Sequence, residues 1–527
     1  MTLHPVPPRS WLRLAIFALP WVAFLLRLGG APLFDDDEGA FSEATREMFE
    51  RGDFLSTYLN GENRFDKPIL IYWLQALGYL LFGPAEWAFR LPSALAAIGW
   101  CYAIWHFARP RLGADTALVA LAVAASALGP FVIGRAATAD ALLNLLLALA
   151  LFDAWRHIES GQRAPLLRSY MWIGLGILTK GPIALMVPAA VSLLYYASRR
   201  EWRPYLKLSF DPLGWLILAI LVVPWYAAAL AIHGQDFIDG FILKHNVRRF
   251  TGTLEKHAGS IFYYAFVTPL LLLPWTGPLL ASLRRIKADV QMTDNHERRH
   301  GLRRYLWLWA AFVIVFFSLS GTKLPHYALY GATPLFLLIA VHRHDLRRSW
   351  LHLLAPTLLF VLFLLLPTVF GALSTGEMVN HPYYRAQLAD APLLADTTYY
   401  AVCIGAFALW LVALVLMRGD APWRRLLVAA GLLVLVQSLV VAPWLGAVLQ
   451  GSLSEAVAFV RTRAEPVVLW RLYAPSVSVY REAVTLQRPP QPGEIAITRF
   501  DRVPDQGYQT LFHRGGVAVV RPLPEEK

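Results

Sequence analysis

Apolar stretches close to the length of a bilayer-spanning helix recur along this chain from Trp11 to Trp444, each broken by a short polar segment. The pattern predicts helices near 12–30, 88–108, 115–133, 139–156, 166–179, 182–198, 213–232, 261–283, 305–320, 326–342, 350–373, 398–417 and 425–447, thirteen in all. The stretch Ile69–Phe82 is also apolar, but it is short and is bounded by Pro68 and by Gly83-Pro84. It reads as a helix lying on the membrane surface or re-entering it. Beyond about residue 450 helical spacing alternates with strand-like runs at Val467–Leu472, Glu494–Thr498 and Gly516–Val520, the pattern of a small α/β domain. The expected fold class is an all-α polytopic membrane protein carrying a small C-terminal α/β domain, with residues 1–449 and 450–527 as its two parts.

Composition agrees. The 527 residues are 57% hydrophobic and 16% charged, whereas a soluble domain carries about 25% charged residues. The net charge of +12 could point to nucleic acid, but the Lys and Arg residues sit in short clusters between apolar runs rather than on one soluble face, so no nucleic-acid partner is expected. With Ile69–Phe82 excluded as a span, the clusters Arg109/Arg111, Arg156/Arg163/Arg168, Arg199–Lys207, Arg284–Arg304, Arg343–Arg348 and Arg418–Arg425 all fall on the amino-terminal side, which the positive-inside rule makes cytoplasmic. The opposite, external side then receives a loop over 34–84, the Arg135–Asp140 turn, Lys180, the segment His233–Ser260, the turn at Lys323, residues 374–397 and the tail. Arg9 and Arg13 before the run Leu14–Leu26 resemble a secretory signal, but an acidic segment follows instead of a small-x-small cleavage site, so the run reads as the first helix. Cys101 and Cys403 lie within apolar runs and read as packed thiols.

The residues able to do chemistry gather on that second side. The 34–84 loop opens DDDEGAFSEATREMFERGDF, an amphipathic helix behind four consecutive acids. One acid can cap such a helix; four exceed that need, and a carboxylate at a membrane interface is a natural general base, with Asp37 and Glu38 the candidates. Further on, Asp66-Lys67-Pro68 precedes the surface-lying segment. Lys67 can meet a phosphate as a point charge, or it can snorkel to headgroups. Asp140 opens a span, Lys180 interrupts an apolar stretch, KHNVRRF supplies His245, Arg248 and Arg249, and KLPHY supplies Lys323, His326 and Tyr327. Ionisable groups at spans are costly, and their convergence on one side points to a site more strongly than any one of them does.

The order of these segments resembles the bacterial aminoarabinose transferases (glycosyltransferase family 83), relatives of the protein O-mannosyltransferases with the GT-C fold. The matching residues are Asp37-Glu38, Asp66-Lys67-Pro68, Asp140, Leu178–Pro182, Pro224-Trp225-Tyr226, His245–Phe250 and Lys323–Tyr327, so the resemblance covers roughly residues 10–345. It implies inverting transfer of a sugar from an undecaprenyl-phosphate donor, in the periplasmic leaflet, to an acceptor such as lipid A or another glycoconjugate. Asp37 then matches the catalytic or acceptor-orienting carboxylate, and Asp140 a second essential acid. Lys67, Arg249 and Tyr327 match groups that hold the carrier phosphate, with Lys180, Arg248 and Lys323 as further binding candidates. Asp66 and His245 match a place where relatives can bind a divalent metal, although two ligands are a weak metal signature and no cofactor is required. The usual opening motif D-E-x-R-Y reads Asp37-Glu38-Gly39-Ala40-Phe41 here, without the arginine suited to gripping a phosphate. An acceptor hydroxyl rather than an acceptor phosphate is therefore expected, unless Arg64 or Arg248 compensates. A protein O-glycosyltransferase with the same donor is the runner-up. A transporter fits less well, because its charges should lie near the midplane on broken helices and its halves should repeat.

Overall fold

The computed structural model describes residues 10–248, 259–291, 297–346 and 350–524, with the backbone alone at 10, 245–248 and 297–300. Each of the thirteen stretches contains helix. Among the described residues seven helices are long and apolar enough to cross a membrane singly, and Ala114–Ser126 with Leu128–Gly134, bent by 62°, can make an eighth. The other stretches are helical but shorter or broken, as at Tyr263–Leu271 and Thr276–Leu283. The protein is thus a multi-span integral membrane protein with at least seven spanning helices.

Ile69–Phe82 forms a helix over Leu70–Phe82, whose 13 residues rise only about 20 Å, too little for a hydrocarbon core of about 30 Å. Leu77, Leu80, Leu81 and Phe82 are exposed along it, while Ile71, Tyr72 and Gln75 are buried, so one face meets the protein and the other is left for lipid.

One helical hairpin fixes the geometry that matters most. Asp140–Ser160 and Arg163–Lys180 run antiparallel through a turn in which Gly161 takes a φ of +70°. At about 1.5 Å per residue, arms of 21 and 18 residues bring the first residue of one and the last of the other to the same end. Asp140 starts its helix and Lys180 ends its own, so each charge sits where the helix dipole favours it.

The polypeptide leaves the bundle as a helix. Pro422–Arg461 is a 40-residue helical run with a π-helical turn at Gln437–Val441, and it passes straight through the expected boundary at 449. Beyond the two-residue strands Tyr58–Leu59 (β1) and Glu62–Asn63 (β2) of the first loop lies a second sheet. Its strands are Val467–Trp470 (β3), Ile495–Arg499 (β4), Tyr508–Arg514 (β5) and Val517–Pro522 (β6), in the order β3-β4-β6-β5. The β3–β4 pair is parallel, and the crossover between them carries the short helix Ser476–Arg481. Leu453, Ala456, Val457 and Val460 of the long helix cover one face of the sheet, and Phe500, Val503 and Tyr508 pack on the other. Coverage of both faces explains why β3 reads as a continuous apolar run instead of an alternating one.

Candidate active site

The first turn of the helix Asp37–Arg51 faces a cavity of 1190 Å³. Its wall is completed by the loop 59–67, Thr138 and Asp140, Lys180, Gly240 and Lys244, the segment Leu324–His326, and Tyr473 and Leu486–Arg488 of the C-terminal domain. Segments more than 400 residues apart in sequence therefore share one enclosure.

Two carboxylates held by cations stand in it. Lys180 Nζ donates to Asp140 Oδ1 at 2.6 Å. The same oxygen accepts from Tyr330 Oη at 3.1 Å, and His326 Nε2 lies 3.7 Å away. Lys67 Nζ donates to Asp66 Oδ1 at 2.7 Å, while Arg64 Nη2 donates to Asp66 Oδ2 at 3.0 Å. Lys244 also lines the cavity, exposed and with no hydrogen bond or ion pair to the described residues.

Asp37 differs from the ion-paired Asp66 and Asp140. Solvent reaches it, and among the described residues its carboxylate takes no hydrogen bond or ion pair. The surrounding protein raises its pKa above the usual 3.8, first by desolvation and then by the charge of Asp140, against the pull of Lys67 and Lys180. The result is a carboxylate with open acceptor capacity and added basicity.

Its neighbour Glu38 faces away from the cavity. Arg90 grips it in a fork, Nε to Oε1 at 2.8 Å and Nη2 to Oε2 at 2.7 Å, and it also accepts from the backbone N–H groups of Phe34 and Ala137. Arg90 in turn donates to the carbonyls of Leu28, Ala31 and Pro32. Glu38 thus ties the first loop to the bundle, and no lone pair is left facing a substrate. Lys323 is buried and donates to Ser320 O at 2.7 Å, outside the cavity wall. Tyr327 is buried behind the wall, its ring centre 5.9 Å from Lys180 Nζ.

Arg249 lies outside the described residues, as do the side chains of His245 and Arg248, whose backbone belongs to the π-helical stretch Ile238–Arg248. Among the described residues no three His, Cys, Asp or Glu side chains group as metal ligands, and Asp66 already faces two cations. With the His245 side chain outside the described residues, no chemical step is routed through a metal.

Sequence reasoning missed Lys244, Tyr473, Gln487 and Arg488. Lys244 had a signal, since it opens the same KHNVRRF segment that supplied three candidates. The other three had none, because they reach the cavity only through tertiary packing.

Residues 66–227 match the family model described as dolichyl-phosphate-mannose-protein mannosyltransferase. Among curated proteins, the undecaprenyl phosphate-alpha-4-amino-4-deoxy-L-arabinose arabinosyl transferase of Erwinia tasmaniensis is 28% identical over 76% of this chain and 71% of its own length. The Pseudomonas aeruginosa protein of the same description is 30% identical over 60% of this chain and 56% of its own. That of Edwardsiella ictaluri is 28% identical over 63% and 59%, so the match spans about three fifths of the length of several such relatives. The crystal structure of ArnT from Cupriavidus metallidurans bound to undecaprenyl phosphate superposes with a TM-score of 0.78 at 22% identity, covering 97% of both chains. Its apo form gives the same values. The likeness of fold therefore extends beyond residue 345 and takes in the C-terminal domain. This chain is similar in sequence to the aminoarabinose transferases over much of its length and has their GT-C fold over nearly all of it.

Proposed function

We propose that the protein is an inverting glycosyltransferase that moves a sugar from an undecaprenyl-phosphate donor to an acceptor hydroxyl on the periplasmic side of the bacterial inner membrane. The observation that carries this reading is the meeting, in one cavity, of an unpartnered carboxylate with Lys67, Lys180 and Lys244. The acceptor oxygen attacks the anomeric carbon as the bond from that carbon to the carrier phosphate oxygen breaks, and a single displacement inverts the centre. Asp37 takes the hydroxyl proton. The lysines neutralise the charge that develops on the departing phosphate, which needs no nucleotide. Asp140 holds Lys180 at that position. Arg249, outside the described residues, is a further candidate for the phosphate.

The relatives' names point to an undecaprenyl-phosphate sugar and the matching family model to a polyprenyl-phosphate one, so the donor class is common to both. For the acceptor, Ala40 and Phe41 line the cavity where the family motif carries arginine and tyrosine. Arg64, the nearby cation, is held by Asp66 and by Tyr72 Oη at 3.3 Å. A hydroxyl on a lipid, glycan or protein thus suits the site better than a lipid A phosphate. Purified enzyme in liposomes, supplied with a polyprenyl-phosphate sugar and either intact or dephosphorylated lipid A, tests both halves. Transfer to both forms is expected. Product from the phosphorylated form alone overturns the acceptor assignment, and no product from any hydroxyl acceptor overturns the reaction. Thiol labelling of cysteines placed at Asn60 and Pro492 tests the side: reaction only after the inner membrane is permeabilised overturns the topology.

A further inference from the structure

The contact between the first loop and the C-terminal domain flanks Asp37, which lies two residues from both Asp35 and Gly39. Asp35 Oδ1 accepts the backbone N–H of Ser476 at 3.0 Å, and Oδ2 accepts its hydroxyl at 2.5 Å. Leu33 N–H donates to Tyr480 Oη at 2.7 Å, and Ser478 Oγ donates to Asn60 Oδ1 at 2.7 Å, so three residues of one segment grip the loop. Ser476 and Ser478 are fully buried. Gly39 sets how closely the two parts meet. A Cβ at that position would lie 2.1 Å from Asp35 Oδ1 and 2.6 Å from Ser476 N, so any larger residue forces the backbone of the C-terminal segment away. The same segment reaches the cavity on both sides of the contact, through Tyr473 before it and Gln487 and Arg488 after it. An aromatic face, an amide and a guanidinium suit the hydroxyls and ring faces of a saccharide. Lys67 and Lys180, by contrast, are held by Asp66 and Asp140 on other segments.

We infer that Asp35, Gly39 and Ser476 form a positioning clasp that fixes Asp37 relative to an acceptor-binding wall on the C-terminal domain, leaving the donor-phosphate cations to Asp66 and Asp140. The acceptor class is a sugar-bearing molecule. The inference rests on the glycosyl-transfer reading above. Its consequence is an asymmetry between substrates. Reactive groups displaced by an ångström lose about a hundredfold in rate, and loss of the clasp displaces the base from the acceptor wall while leaving the phosphate cations in place.

The test uses the full-length enzyme in liposomes with a polyprenyl-phosphate sugar and a saccharide acceptor. Gly39→Ala is expected to lower kcat by about ten- to a hundredfold and to raise the acceptor KM several-fold, with donor KM and undecaprenyl-phosphate binding within twofold of wild type. Ser476→Ala removes one hydroxyl without adding bulk, which covers the case in which Gly39→Ala fails to fold, and should shift the same two constants in the same direction. Ser476→Thr, which keeps the hydroxyl, should restore them. A folded Ser476→Ala enzyme with wild-type kcat and acceptor KM overturns the inference, and so does a loss shared equally by donor and acceptor. A wild-type enzyme that transfers no sugar overturns the glycosyl-transfer reading, and the clasp's role falls with it; transfer by wild type with insensitive variants sinks the clasp alone.

Discussion

The two ends of the helical bundle both bury acids among cations, and they use them in opposite ways. Away from the cavity, Asp153 accepts from Arg156 at 2.8 Å, from Arg168 at 2.9 and 3.1 Å and from Trp172 at 3.0 Å. Asp289 similarly accepts from Arg303, from Trp307 and from His342. Each of these carboxylates joins helices that are separate in sequence and has little room for another donor. At the cavity end Asp37 has no such donor, and Asp140, thirteen residues and about 20 Å before Asp153 on one helix, faces open volume with its lysine. A buried charge is therefore no mark of a site by itself. What distinguishes the active end is bonding capacity left open to a cavity.

Asp37→Asn should break the active end most severely, with turnover falling by about a hundredfold to ten-thousandfold while the thermal unfolding midpoint stays near wild type. The rate of the wild-type enzyme should also fall as pH drops through the pKa of Asp37. That value is raised, so the acid limb should begin above 3.8, where protonation removes the base. A near-normal Asp37→Asn rate would return this acid to the class of Asp153.

Asp153→Ala should do the reverse. It leaves Arg156 and Arg168 without their carboxylate and should cost about 3–5 kcal/mol of stability, read as a drop in denaturation midpoint, while the folded fraction keeps its kcat. A large loss of kcat at unchanged stability would erase the distinction between the ends.

Lys67→Ala should have the smallest effect of the three, because Lys180 and Lys244 remain in the cavity. A charge-assisted contact of about 2 kcal/mol predicts roughly thirtyfold weaker binding of undecaprenyl phosphate. Unchanged affinity would mean that this lysine serves only as a membrane anchor.

Much of this contrast was legible in the sequence. Span-length apolar runs need no tertiary information, because lipid demands them, and a charge at the end of such a run, such as Asp140 or Lys180, stands out for the same reason. Which acid of the DDDE run is free was not legible. Asp37 and Glu38 are adjacent, and only the arrival of Arg90 from 52 residues away separates an open carboxylate from a tether. Continuity across residue 449 was not legible either: the polypeptide stays helical to Arg461, and its apolar residues simply change partners from the bundle to the sheet. Tyr473, Gln487 and Arg488 lie in a region with no run, cap or motif to mark them.

That continuous helix has a mechanical meaning. Forty residues extend about 60 Å, roughly twice the hydrocarbon thickness, so the C-terminal domain is mounted on a strut instead of a tether. A strut sets both height and azimuth, because each residue inserted into it turns everything beyond by about 100° and lifts it by about 1.5 Å. Deletions or insertions in that rod should therefore act periodically, worst at half a turn and mildest near seven residues, whereas a flexible linker would absorb them without phase.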